Sequence, residues 1–444
     1  GWASAKALSQ VVMRFSRLRK AVNCRFQDNP GFASRPPPAM TLNPEHDFIG
    51  LAPFLRLSIA GDDLRPVAQA LLERARQAPD TPGLWMNLAT AFLTLGERAL
   101  GLDIQAQALQ QQRRFTLPAR RQPARCRLLV LLAAGDLAEN TPIDCLLEDS
   151  QVELIYQYVS AADPLPADLP AHDALLVGLS ATAASRPILD ALVARLAHWP
   201  KPVINAPQYI PNVERETASA LLQGVPGLQI PATWPVDRAT LAAIAGGAQP
   251  IGDAFPGCRF PVILRPLGAH GGHGLARLDS PAEMVAYLAA EPDPHFYLSN
   301  FIDYSGPDGQ FRKLRVALID GRPFACHMGV SSHWMIHYVN AGMYEDAAKR
   351  AEELAFMEGF AAFAARHAGA LAAIHQRSQL DYVCIDCAET RDGELLIFEI
   401  DHAMVVHAMD PEDLFPYKQV HMQKVKQAFE DYLDRLQAPR PTPV

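Results

Sequence analysis

The sequence predicts an α+β protein in which a helical N-terminal region and a small α/β parallel-sheet domain precede two α+β subdomains. Three observations predict it. Apolar residues recur at helical spacing up to about residue 118. Between 123 and 205, short apolar runs alternate with helix-period segments, the pattern of a small parallel sheet. From Phe260 onward the texture changes to paired strands separated by turn residues. The boundaries read as a basic tail over 1–39, a helical region over 40–120, an α/β domain over 121–208 and the α+β region over 209–444.

Composition narrows the function. The chain has 444 residues, too many for one typical core, and is 49% hydrophobic and 20% charged, as soluble globular proteins are. A formal charge of -8 excludes a general nucleic-acid binder, which needs a basic face. No apolar run is long enough to span a membrane. Seven scattered cysteines form no disulfide framework, which points to a reducing, cytoplasmic setting. Cys384 and Cys387 make a CxxC, but on a strand positions i and i+3 face opposite ways, against joint metal ligation. Arginine outnumbers lysine by thirty-two to eight.

The elements follow in order. Residues 1–39 are basic and amphipathic with no acid before Asp28, and "SRPPPAM" ends them; they read as a tail, or as a stretch upstream of a start at Met40, and are set aside. "PVAQALLERARQ" is helical and "APDTPG" breaks it. In the next stretch Trp85, Leu88, Ala89 and Phe92, with Pro79 before them, resemble a tetratricopeptide repeat. Only about one and a half units are visible where an array needs three, so a plain helical hairpin is the alternative. "CRLLVLLAAGD", "VELIYQYV" and "HDALLVGLSA" read as buried strands, "SRPILDALVARLAHW" as a helix and "KPVINAPQYI" as a strand and turn. The Asp-Gly in "LIDGRPF" is a two-residue hairpin signal. A single long helix is expected over 345–374, a hairpin in "LDYVCIDCAETRDGELLIFEID", and a closing helix in "FPYKQVHMQKVKQAFEDYLDRL".

The chemistry concentrates in "LLIFEIDHAM". Glu399 and Asp401, two apart, share one face of an apolar strand. Two carboxylates there repel unless a cation lies between them. A hairpin through "TRDG" brings Asp386 beside them, and three oxygen donors suit Mg²⁺, with solvent-facing hairpin acids as the plainer alternative. Upstream, "PVILRPLGAHGGHGL" ends a strand at Arg265 and opens a glycine loop, Gly268 to Gly274, whose amides can close on phosphate oxygens.

In the order of these motifs, residues 123 to 436 resemble the ATP-grasp superfamily, nearest to carboxylate–amine ligases of the ribosomal-S6-modification and glutathione-synthetase kind. The resemblance implies an ATP-grasp fold, two α+β subdomains gripping ATP. "VERETASALLQGVPGLQIPAT" resembles the helix bearing the first phosphate-binding cation, here Arg215, followed by Pro231 and Thr233. "PVILRP" and its loop resemble the second cation, Arg265, with the phosphate lid, implying Gly271, Gly272 and His273 at the nucleotide. "FYLSNFID" resembles the adenine hinge, implying Asn300, Phe301, Ile302 and Asp303. "CIDCAETRDGELLIFEID" resembles the metal hairpin, implying Mg²⁺ on Asp386, Glu399 and Asp401. Arg315 matches the arginine near the triphosphate, a catalytic role shared with Arg265. His333, His337, Asn340 and His402 fall where such enzymes bind substrate. The departures are arginine for both usual lysines, Asn300 for the hinge glutamate, and Asp401 for the final asparagine.

What the resemblance implies is ATP- and Mg²⁺-dependent joining of a small-molecule or peptide carboxylate to an amine through an acylphosphate. The rivals are a kinase on the same fold and a non-catalytic nucleotide-binding scaffold. A peptide or protein partner at the N-terminal helices and a homo-oligomer are further expectations.

Overall fold

The structure is a computed structural model that describes residues 47–269 and 272–438. The expected tail over 1–39, the start of the helical region and Gly271 lie outside the described residues. Among the described residues no helix is long and apolar enough to cross a membrane.

Among the described residues, four helices come first: Ala52–Ile59, Leu64–Gln77, Pro82–Thr94 and Arg98–Gln111. They pack on one another, and their apolar residues also join a core shared with the next sheet and the last helix. Trp85, Leu88 and Phe92 pack with Leu128, Val130 and Tyr156 of the following sheet and with Val425 and Phe429 of the last helix. The indole of Trp85 donates to the Pro79 carbonyl at 3.2 Å and fixes the turn between the second and third helices.

The first sheet has strands β1 (Arg114–Leu117), β2 (Cys126–Ala133), β3 (Val152–Val159), β4 (Ala174–Val177) and β5 (Val203–Ile204) in the order β1-β3-β2-β4-β5. Three pairings are as expected of a small α/β domain: β3, β2, β4 and β5 are joined in parallel. β1 is an addition. It pairs antiparallel to β3, so the chain joins the sheet at Arg114, ahead of the expected boundary at 120. Its four residues are too few to show a period. Alternate residues of β2 face opposite cores: Leu128 and Val130 join the core that includes the N-terminal helices, Leu129 and Leu131 the core that includes Leu189 and Leu192 of the helix Arg186–Leu196.

Two mainly antiparallel sheets follow, the second with one parallel edge strand. One orders β7 (Thr233–Asp237), β10 (His295–Asn300), β8 (Val262–Pro266) and β9 (Ala276–Leu278) as β7-β10-β8-β9, backed by the helices Arg238–Ala245 and Pro281–Ala290. It has its own core of Leu241, Val262, Leu264, Met284, Phe296 and Leu298 and forms a separate lobe. The other orders β12 (Arg322–Ser331), β11 (Phe311–Ile319), β13 (Tyr382–Glu389), β14 (Leu395–Asp401) and β6 (Leu228–Gln229) as β12-β11-β13-β14-β6. The Asp320–Gly321 turn joins β11 to β12 with φ of 51 and 72°, the primed turn its sequence calls for.

One expectation needs correction. The single helix over 345–374 is three, Ala347–Glu358, Phe360–Arg366 and Ala368–Ser378, broken at Gly359 and His367. The second break turns His367 inward, where its Nε2 meets Glu389 Oε1 at 2.8 Å. The CxxC cysteines do part as expected: Cys384 lies in one core and Cys387 in the other.

Candidate active site

Between the two antiparallel sheets runs a cavity of about 490 Å³. β14 crosses its floor and gives it an axis. Phe398 lines one end, Glu399 and Asp401 the middle, and Ala403, Met404 and Val405 the other end.

Four cations converge on the middle. Lys313 and Arg315 come from β11, where two-residue spacing sets them on one face. Arg315 stands directly opposite Asp386 of β13. Its Nε and Nη2 donate to the two carboxylate oxygens at 2.8 and 3.1 Å, while Lys313 Nζ reaches Asp386 Oδ2 at 2.7 Å. Asp386 is buried, which by itself favours the neutral acid; the two cations outweigh burial and hold its carboxyl far below the usual range. Arg215, in the first turn of the helix Arg215–Leu222, donates to Glu399 Oε1. Burial pushes Glu399 up, and Arg215 together with Arg265 and Lys313 more than offsets it, so this carboxyl is also lowered.

Arg265 ends β8 and is 9% exposed. Its Nη2 donates to the Ala269 carbonyl, but its Nε has no partner. Burial, and then the neighbouring Arg215, pull it down to about 10. A buried donor without an acceptor carries a free-energy cost that a ligand oxygen removes. Asp401 shows the opposite strain. Burial and the charge of Glu399 push it up to about 7, although the Ala403 amide donates to its Oδ1 at 3.0 Å.

The three carboxylates are neighbours but do not converge as expected. Asp386 opposes Glu399 in register, and Asp401 opposes Cys384. Among the described residues no group of three acids, histidines or cysteines gathers at metal-binding geometry. The physical reason is the β11 cations, which occupy both oxygens of Asp386. The pair that fits a divalent cation is Glu399 and Asp401, hard donors on one face whose mutual repulsion is recorded in the raised Asp401 carboxyl.

At the hinge, Phe301 and Ile302 line the cavity, and Phe301 is fixed by its amide bond to the Pro261 carbonyl at 3.0 Å. The Arg277 guanidinium covers the Phe301 ring at 4.3 Å, and Trp334 meets it edge-on at 5.8 Å. Asn300 also lines the cavity, but its amide is committed: Oδ1 accepts from Arg259 N and Nδ2 donates to Gly257 O, both at 3.0 Å. Asp303 lies outside the cavity and accepts from the Ser305 amide at 2.9 Å.

Of the two described residues expected in the phosphate lid, Gly272 reaches the cavity and His273 is exposed outside it. Gly272 has a φ of +78° and lies against His337, where an added Cβ would fall 2.3 Å from Nε2. His337 lines the cavity with that Nε2 buried and unpartnered, and burial followed by Lys313 keeps its ring neutral. The other residues expected at the substrate are elsewhere. His333 is exposed, and Asn340 is exposed and caps the turn by accepting from the His337 amide at 2.9 Å. His402 points away from the cavity into the α/β domain, its Nδ1 2.7 Å from Thr141 Oγ1, with burial lowering it to about 4.

Sequence reasoning missed Lys313. Its signal was present, since two-residue spacing from Arg315 puts it on the same face.

No family profile and no curated protein matches the chain. Among solved structures it is similar to a D-alanine–D-alanine ligase from Bacillus anthracis complexed with ATP, at 12% identity over 71% of this chain and 100% of that one, TM-score 0.42. It is also similar to a VanG D-Ala:D-Ser ligase from Enterococcus faecalis, at 13% identity over 70% and 99%, TM-score 0.40. A third is a RimK domain ATP-grasp protein from Sphaerobacter thermophilus, at 18% identity over 69% and 99%, TM-score 0.37.

Proposed function

We propose that the protein is an ATP-grasp-type ligase that activates a carboxylate with ATP and joins it to an amine. One observation carries this reading: a single cavity between two antiparallel sheets has an apolar, aromatic slot at the hinge and four cations beside paired acids at its centre. A nucleotide has that layout, a flat base and an anionic tail. The order of motifs along the sequence supports the same reading.

The base lies in the slot of Ile230, Phe301, Ile302 and Phe398. The triphosphate takes the orphaned Nε of Arg265 and draws on Lys313 and Arg315, whose fixed charges stabilise the negative charge moved in transfer. Glu399 and Asp401 would hold Mg²⁺, which neutralises phosphate oxygens when bound. A carboxylate oxygen of the substrate attacks the γ-phosphorus and ADP leaves, giving an acylphosphate. The amine then attacks the acyl carbon, phosphate leaves with the bonding pair, and the nitrogen loses a proton. The Gly272 lid against His337 shields the acylphosphate from water.

The test is ADP release from the full chain with Mg-ATP and mixtures of carboxylic acids, with hydroxylamine as the amine. The reading expects acid-dependent ADP release with a hydroxamate product. ADP release with a phosphate ester product would make the protein a kinase, and no acid-dependent release would remove the ligase reading.

A further inference from the structure

The N-terminal helices do more than pack. The far end of the cavity, beyond Asp401, is walled by Leu51, Leu55 and Thr94 from the helical region, Leu137 from the α/β domain, and Met404 and Val405 from the chain after β14. Among the described residues, every charged residue lining the cavity belongs to the central cluster of Arg215, Arg265, Lys313, Arg315, Asp386, Glu399 and Asp401. Thr94 does not break the apolar character, because its hydroxyl donates to the Thr90 carbonyl at 2.8 Å.

This wall is fastened from several directions. Asp144, buried in the α/β domain, accepts from the Leu51 amide at 2.6 Å and the Ala52 amide at 2.9 Å, holding the first turn that carries Leu51 and Leu55. A Cβ at Gly50 would fall 2.6 Å from the same Asp144 oxygen, so the chain is drawn in closely there. Gln105 exchanges two bonds with Gly135, Nε2 to the carbonyl at 3.1 Å and Oε1 from the amide at 2.8 Å, and Arg98 Nε meets Asp136 Oδ2 at 2.7 Å. These ties set the helix Arg98–Gln111, which follows the one ending at Thr94, against the turn bearing Leu137.

The wall adjoins the cations directly. Arg315 Nη1 donates to the Val405 carbonyl at 3.0 Å, so the apolar end begins where the catalytic charges stop. A carboxylate held at Arg315 has its body directed among leucines. A charged body would be buried there without a partner, and an aliphatic one would be desolvated favourably. We infer that the substrate is a carboxylic acid with an aliphatic body, and that Leu51, Leu55 and Thr94 of the N-terminal helices determine this specificity. The inference rests on the ligase reading for its carboxylate, but acid binding is measured apart from turnover.

The experiment is calorimetric titration of the full chain, with ADP and Mg²⁺ present, by butyrate, octanoate and glutarate. Octanoate should bind at least tenfold more tightly than butyrate, and glutarate more weakly than either. Leu55→Trp should weaken octanoate at least tenfold with ADP affinity within twofold, and Leu55→Met should keep octanoate binding within threefold. Equal affinities for butyrate and octanoate, preference for glutarate, absence of octanoate binding, or an unchanged octanoate affinity in Leu55→Trp would each overturn the inference. ADP release with small polar acids alone would sink this inference and leave the ligase standing. Octanoate binding without ADP release would do the reverse.

Discussion

Arg315 and Asp386 face each other in register on β11 and β13 and close a two-point ion pair at 2.8 and 3.1 Å, with Lys313 on the second oxygen at 2.7 Å. The pair joins fold to chemistry, because the acid that restrains these cations also aims them into the cavity. Asp386→Asn leaves two cations with a neutral partner in a buried setting. Breaking such a pair costs roughly 3 kcal/mol. Urea denaturation should show a lower midpoint with an unchanged slope.

Lys313→Met tests the residue that sequence reading passed over. Arg315 still satisfies Asp386 in this variant, so folding stability should change little. The cavity loses one of four cations, and ATP affinity should fall about tenfold or more, the scale of one charge-assisted hydrogen bond. Calorimetry with ATP, beside a thermal melt, separates the two effects. Unchanged ATP affinity would remove Lys313 from the nucleotide site.

Arg265 carries a donor with no partner, and a ligand oxygen should satisfy it. Arg265→Met removes a buried charge that has only a carbonyl bond, so its thermal stability should hold or rise. ATP affinity should drop by about ten- to a hundredfold, the range for a hydrogen bond to a charged group. A variant that loses stability and keeps ATP affinity would assign Arg265 to the fold alone.

Asp401, pushed up to about 7 by burial and Glu399, gives a pH signature. Its folded carboxyl binds a proton more tightly than the unfolded one, whose ordinary value is 3.8. The folded state is therefore favoured by this group below about 4, and the contribution is lost as pH rises through about 7. Asp401→Asn removes the titration and the repulsion. With chelator present to keep the protein metal-free, the variant should melt at a higher temperature than wild type at pH 8, with the difference shrinking at pH 5. A pH-independent difference would refute the assignment.

Much of the fold was legible because local signals agreed with tertiary ones. The Asp320–Gly321 hairpin and the β13–β14 hairpin have turn chemistry and apolar runs that point the same way. The shared face of Glu399 and Asp401 followed from strand periodicity, and the place of Arg215, Arg265 and Arg315 beside them from the motif order of the resemblance. Long-range effects were not legible. Gly359 and His367 break a helix whose composition favours continuity, because His367 is drawn onto Glu389. Asp386 is turned from the expected metal group by cations on a strand far away in sequence. His402 is taken by Thr141 of another domain, and no spacing rule connects the two. Nothing local to Leu51, Leu55 or Thr94 places them at a cavity built from the opposite end of the chain.

The central claim is that this cavity holds a nucleotide, base at the hinge and tail on the cations. A crystal structure of the full chain with a non-hydrolysable ATP analogue and Mg²⁺ tests it most directly. The account predicts the base between Phe301 and Phe398 and a phosphate oxygen within hydrogen-bond distance of Arg265 Nε. A nucleotide bound elsewhere, or a triphosphate out of reach of Arg265, Lys313 and Arg315, would contradict it.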